Sequence, residues 1–129
     1  MILLDTHVLV WLQQEPRKLS RRAAALIRRA QTSSEVAVSA ITIVELATLL
    51  NRGRLRTRDT LQATIRRFLE DVAVLPLTEA IAIEAGNLQK DMLPDPMDRM
   101  IAATAQLHGV PLVTADERMI NCAWISTVW

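Results

Sequence analysis

The chain has 129 residues, 15 Lys+Arg against 14 Asp+Glu, and half of its residues are hydrophobic but only 3% aromatic, which suits a single aliphatic-cored domain over 1–129. No apolar run reaches membrane-spanning length, and Met1-Ile2-Leu3-Leu4-Asp5 lacks a basic n-region, so neither a membrane span nor a signal peptide is expected. The lone Cys122 excludes an internal disulfide, and with only His7 and His108 beside it a closed zinc site is not expected; the expected location is cytoplasmic.

Ile2-Leu3-Leu4 is a short continuous apolar run, the pattern of a buried parallel strand, and it delivers Asp5 and Thr6 at its carboxyl end. Residues 6–14 turn to helical spacing, with Val8, Trp11 and Leu12 on one side, until Pro16 forces a break. Ser20 is the N-cap of a second helix reaching about Ala30, and residues 31–34 are a polar connector. Val36-Ala37-Val38 is a second short strand. An apolar helix follows directly from Ser39 to Leu50, and Arg52-Gly53 ends it. Glu45 is the lone charge in that helix. Thr42-x-x-Glu45 has capping-box spacing, but Ser39 is the better cap. Glu45 is then left among apolar neighbours, where a carboxylate needs a partner or a metal.

Arg54 to Arg58 form a basic loop, and Asp59 or Thr60 caps a helix that turns Leu61, Ile65, Phe68 and Leu69 inward and ends near Asp71. Residues 72–75 read as a third strand closed by Pro76, and Thr78 opens a helix to about Gln89. The next helix is the best marked in the chain. Asp95 is its N-cap, Pro96 suits the first helical position, and Gly109 stands where a stop is wanted. Asp98 falls at N3, as an acidic capping-box variant, yet shares a face with Ile101, Ala102 and Ala105. That face packs inward and carries a carboxylate to the edge of the core. Residues 110–114 form a fourth strand ending near Asp116, and the tail around Trp124-Ile125 and Val128-Trp129 adds an edge strand.

Short apolar strands alternating with helices imply a three-layer α/β/α sandwich with a mainly parallel sheet. Right-handed crossovers then gather the strand-end loops on one edge. Charge is unevenly distributed along this framework. Between Arg17 and Arg67 lie twelve of the 15 basic residues and three acids, whereas Glu70 to Arg118 holds nine acids and three basic residues. Solvated helix faces account for such segregation; so does a basic rim beside an acidic centre, as a nucleic-acid-cleaving protein needs.

Asp5 and Asp116 follow strand ends, Glu45 lies within about two helical turns of a third strand end, and Asp98 opens the helix feeding the last long strand. Carboxylates gathered there repel one another and resist ionisation unless a cation compensates. All-oxygen ligation without paired His or Cys suits Mg²⁺ or Mn²⁺, alone or as a pair. Thr6 and Thr114 are placed to orient the carboxylates as hydroxyl partners. His7 is read first as a helix-start residue, exposed or satisfied by a neighbour, and second as a side chain close enough to the acids to touch substrate. Arg99 is a candidate to hold a carboxylate or form a surface ion pair.

The segments Leu3-Leu4-Asp5-Thr6-His7-Val8-Leu9-Val10-Trp11-Leu12, Ser39-Ala40-Ile41-Thr42-Ile43-Val44-Glu45-Leu46, Leu93-Pro94-Asp95-Pro96-Met97-Asp98-Arg99 and Leu112-Val113-Thr114-Ala115-Asp116 together resemble a PIN domain, and more narrowly the VapC-like toxins of toxin–antitoxin pairs. The resemblance implies a Mg²⁺- or Mn²⁺-dependent endoribonuclease, with Asp5, Glu45, Asp98 and Asp116 matching the acidic site and Asp95 auxiliary to it. It also implies a homodimer, an RNA substrate such as tRNA or rRNA, and a VapB-like antitoxin whose C-terminal segment obstructs the site. Arg52, Arg54, Arg56 and Arg58 are the candidate RNA contacts.

Phosphotransfer through Asp5 fits poorly: a haloacid-dehalogenase-like site wants an acid where His7 stands, and a receiver wants a lysine after a strand, where neither Lys18 nor Lys90 lies. Two alternatives share the fold: a non-catalytic module docking a partner's arginine-bearing tail, and an RNA-processing nuclease without an antitoxin.

Overall fold

Strand β1 (Ile2–Leu4) is three residues long and lies at the centre of the sheet in the computed structural model, which describes residues 1–129. Its neighbours are β2 (Val36–Ser39) on one side and β4 (Leu112–Val113) on the other, with β3 (Ala73–Leu75) and β5 (Thr127–Val128) at the edges. All four pairings are parallel, with Ile2 opposite Val36 and Leu3 opposite Leu112. A centre buried on both faces explains why β1 and β2 read as unbroken apolar runs rather than alternating ones.

Alternate strand residues enter two separate cores. Ile2, Leu4, Val36, Val38 and Val113 face a layer built on α1 (Thr6–Gln14), α2 (Arg21–Thr32), α3 (Ala40–Asn51) and α4 (Leu61–Phe68), with Leu9, Ile27, Leu46 and Phe68 buried there. Leu3, Ala37 and Leu112 face the opposite layer of α5 (Glu79–Asn87), α6 (Pro96–His108) and the short α7 (Glu117–Ile120), filled by Ile81, Ile101, Ala102 and Met119. The three-layer α/β sandwich inferred from the strand pattern is the fold observed.

Helix starts are fixed by side-chain caps. Ser20, Ser39, Thr60, Thr78, Asp95 and Asp116 each accept a hydrogen bond from an amide in the first turn, meeting donors that the helix leaves unpaired. Thr60, rather than Asp59, is therefore the cap of α4. Gly109, at φ 62°, terminates α6 in the left-handed region that L side chains resist.

The structure departs from the sequence reading at some boundaries. Helix α2 runs on to Thr32, shortening the polar connector. Ala73 and Val74 of β3 are exposed because the strand is an edge, not a core strand. In α4, Thr64 and Phe68 are buried while Leu61, Ile65 and Leu69 are half-buried. A 3₁₀ turn over Pro16–Lys18 and helix α7 are short local elements without a periodic signal. No helix is long and apolar enough to cross a membrane.

From β1 the chain steps outward to β2 and β3, then returns to the other side of β1 for β4 and β5. The strand order thus reverses between β1 and β4. In open α/β sheets the crevice beyond the carboxyl ends at that reversal is where ligands sit.

Candidate active site

Asp5 occupies the reversal point. It is the N-cap residue of α1 by backbone position, and its carbonyl accepts the Leu9 amide at 3.0 Å, yet its carboxylate makes no capping hydrogen bond. Thr114, just beyond β4, donates to Asp5 Oδ2 at 2.8 Å from its buried hydroxyl, holding the carboxylate toward the crevice. The same hydroxyl accepts the Asp116 amide at 3.0 Å. One threonine therefore orients both the β1 and the β4 acid.

The next acid arrives on α3. Ser39 is confirmed as that helix's cap, its Oγ accepting the Ile41 amide at 3.3 Å, which places Thr42 and Glu45 inside the helix. Thr6 Oγ1 lies 2.6 Å from Glu45 Oε1 and 3.0 Å from Thr42 Oγ1. The short contact to the carboxylate is the stronger of the two. Thr42 is thus part of a buried hydroxyl pair rather than a cap, and Glu45 is half-buried and aimed at the start of α1.

On α6 the two aspartates divide the work. Asp95 caps the helix, accepting the Met97 amide at 2.9 Å, whereas Asp98 accepts no hydrogen bond and lies half-buried above Ile101 and Ala102. Arg99 makes neither an ion pair nor a carboxylate contact. Its Nη1 donates to the Leu93 and Pro94 carbonyls at 2.7 and 3.0 Å, tying down the turn that presents Asp95. Asp116 caps α7 through the Arg118 amide at 2.8 Å.

Asp5, Glu45, Asp95, Asp98 and Asp116 line one open cleft of about 340 Å³, together with His7, Trp11 and Ala115. No arginine or lysine lines it, and none of the chain's three ion pairs involves these acids. Burial pushes the Asp5 and Glu45 carboxyls above their ordinary values, against the pull of the Thr114 and Thr6 hydroxyls. The charge of His7 pulls both carboxyls the same way, and the Thr6 amide, short of a capping bond, adds to that pull on Asp5. Asp98 is pushed up to about 7, first by burial and then by the negative charge of Asp95, Asp5, Glu45 and Asp116. The cleft resists carrying its full charge alone.

Five carboxylates dominate the donor set, with His7 the one nitrogen ligand type and the one basic side chain among them. Oxygen-rich, partly desolvated and short of positive charge, the set has the chemistry a hard divalent cation relieves. No three His, Cys, Asp or Glu side chains converge into a ready-made cage. An ion that keeps several of its waters and takes only one or two carboxylates, as Mg²⁺ does, fits such an open arrangement.

The four candidate arginines separate. Arg52 and Arg54 line a second cleft of about 380 Å³ that shares His7, Glu45 and Asp95 with the acidic one. Arg56 and Arg58 lie instead with Arg67 along a different groove. Two cleft residues have no site role in the sequence reading, namely Trp11, which fits a helix face, and Ala115; His7, whose second reading is a contact with substrate, joins them in the lining. The spacing of four residues from His7 to Trp11, which stacks side chains on one helix face, was the available signal. Ala115, between Thr114 and Asp116, offered none.

The PIN domain family's sequence profile matches residues 2–125. A ribonuclease of Mycobacterium tuberculosis, VapC22, is 37% identical over 118 residues, covering 92% of this chain and 88% of that protein. Among solved structures, DNA-bound VapBC from Salmonella typhimurium superposes with a TM-score of 0.74 at 20% identity, over 99% of this chain and 98% of the other. A toxin–antitoxin complex from Klebsiella pneumoniae gives a TM-score of 0.68 at 23% identity, over 100% and 97%. A profile match over nearly the whole sequence, on the same fold, is decisive: the chain belongs to the PIN-domain family.

Proposed function

We propose that this protein is a metal-dependent endoribonuclease and the toxin of a toxin–antitoxin pair. The observation that carries the reading is the cleft of five carboxylates at the sheet's reversal point, partly desolvated and with no arginine or lysine among them. Kinship to a ribonuclease supports RNA as the substrate. Mg²⁺ or Mn²⁺ held there supplies a nucleophilic water at neutral pH and offsets charge on the phosphodiester.

Asp5 and Asp98 would be the direct ligands, with Glu45 and Asp116 completing or tuning the site and Asp95 primarily a cap. Thr114 holds the Asp5 carboxylate through Oδ2 and Thr6 holds Glu45 through Oε1, so both would meet the cation already oriented. Arg52 and Arg54, exposed and outside any ion pair, are positioned to take an RNA phosphate beside the cleft. tRNA or rRNA is the target class carried over from VapC-like proteins.

The partner is an antitoxin, as the solved toxin–antitoxin neighbour suggests, and the acidic cleft suits a guanidinium presented by it. A second copy of this chain, in a homodimer, belongs to the same reading. The setting is cytoplasmic and the whole of 1–129 acts as one domain.

The test is incubation of total cellular RNA with purified protein in Mg²⁺, in Mn²⁺ and in chelator, beside Asp98→Asn. Discrete products that need metal and disappear in the variant are expected. Absence of cleavage under every condition, by a folded protein free of antitoxin, would overturn the enzyme reading in favour of a binding module.

A further inference from the structure

Trp11 has no part in the chemistry just assigned, yet it forms a wall of the carboxylate cleft. An indole neither ligates a hard cation nor transfers the relevant proton. The chain contains only three tryptophans, one phenylalanine and no tyrosine, so two of its four large aromatic residues meet at this one place: Trp11 and Trp129 have ring centroids 5.7 Å apart at 54°. His7 lies 6.2 Å from Trp11 on the cleft side, and the Lys18 ammonium stands 5.9 Å from the ring centroid. The ring is braced by three neighbours and remains half-exposed.

The two clefts give this braced ring a direction. Trp11 lines only the acidic cleft, Arg52 and Arg54 line only its neighbour, and His7, Glu45 and Asp95 form the shared wall. A strand crossing the carboxylates thus has a braced indole on one side and guanidinium forks on the other. Lys18, which stands over the ring, leaves its opposite face to be stacked upon. Stacking on aromatic faces is how unpaired nucleotides are held, and it is closed to bases inside a duplex.

Resting on the ribonuclease reading above, we propose that Trp11 is a positioning residue, a base-stacking platform that holds one nucleobase beside the reacting phosphate. Trp11 selects the substrate by the presence of a base, not by sequence, since every base has a face to stack.

The test uses Asp98→Asn protein in Mg²⁺, so that RNA stays intact, and fluorescence anisotropy with three probes. They are a labelled single-stranded RNA of about twelve nucleotides, within the span of single-strand sites, the same strand annealed to its complement, and a strand of equal length carrying abasic riboses. The base-bearing strand is expected to bind best. Adding Trp11→Ala should lower its affinity about 5- to 150-fold, the equivalent of about 1–3 kcal/mol per stacked base, while leaving the abasic strand unchanged. Trp11→Leu, which keeps apolar bulk against Trp129 but has no π-face, should behave like Trp11→Ala, and Trp11→Phe should restore most of the loss. Arg52→Ala with Arg54→Ala should weaken base-bearing and abasic strands alike. Equal losses for both strands on Trp11→Ala or Trp11→Leu, or a duplex bound as tightly as the single strand, would overturn the stacking role and leave the nuclease reading standing. Failure of all three probes to bind would overturn both.

Discussion

Two charged regions flank helix α1, and their chemistry is opposite in more than sign. In the groove of Arg56, Arg58 and Arg67 the charges are exposed, Arg67 is paired with Asp59, and the Thr57 and Thr64 hydroxyls bond to each other at 2.8 Å. In the carboxylate cleft Asp5 is only 6% exposed, Asp98 has no partner, and three acids are pushed upward by burial. The difference teaches that abundance of charge is a poor guide to chemistry. Solvated arginines attract a polyanion at long range and contribute little individually. Desolvated carboxylates with no arginine or lysine beside them carry a free-energy cost, and such perturbed groups in a cleft are what mark a candidate site.

The largest effect that could break this contrast lies in the cleft. Asp98→Asn and Asp5→Asn should each lower the cleavage rate by about a thousandfold, the consequence of losing several kcal/mol of charge stabilisation; retention of activity in single-turnover assays would remove them from the site. Next come the orienting hydroxyls, where Thr6→Val or Thr114→Val should cost about 10- to 100-fold in metal affinity or rate. Metal titration followed by tryptophan fluorescence separates a lost ligand orientation from a misfolded protein.

Asp116 sharpens the comparison because it is both cap and cleft acid. Asparagine caps as well as aspartate, whereas alanine costs about 1 kcal/mol. Asp116→Asn should therefore unfold like the parent but cleave poorly, and Asp116→Ala should lose both; the two melting temperatures and two rates decide it.

The metal-free protein also carries a pH signature. Asp98 holds its proton up to about 7 in the folded chain, but loses it near the ordinary carboxylate value of about 3.9 when unfolded. The folded state binds more protons across that window, so stability falls as pH rises through it. Asp5 and Glu45 act in the same direction. Thermal unfolding in chelator at pH 5 and pH 8 should show a smaller drop for Asp98→Asn than for the parent, and equal drops would contradict the burial of that charge. Smallest of all, Arg56→Ala or Arg58→Ala should leave stability within about 0.5 kcal/mol and reduce the salt slope of RNA binding by no more than about 0.7 each.

The legibility of this molecule in its sequence followed the same division. The central strands were plain because burial on both faces strips them of polar residues. The caps Ser20, Ser39, Thr78 and Asp95 were plain because capping is local. Asp5 and Asp116 are legible from their places after strand ends, Glu45 and Asp98 from standing on apolar helix faces, and the structure brings all four to one cleft. Trp11 and Thr42 are not legible in that way. A helix-face tryptophan and a threonine three residues before a glutamate both have satisfactory local explanations, and only contacts such as Thr6–Glu45, 39 residues apart, displace them. Arg99 was misjudged for the same reason. Its partners are carbonyls of the preceding turn, which carry no signature in the residue types.

The reversal of strand order also acts in time. Asp5 leaves the ribosome 109 positions before its orienting hydroxyl on Thr114, and β4 is what closes the crevice against β1. A nascent chain synthesised only as far as α6 has β1, β2 and β3 available to pair, but no second wall for the cleft. The acidic crevice is therefore completed only when β4 docks, long after its first carboxylate has been made.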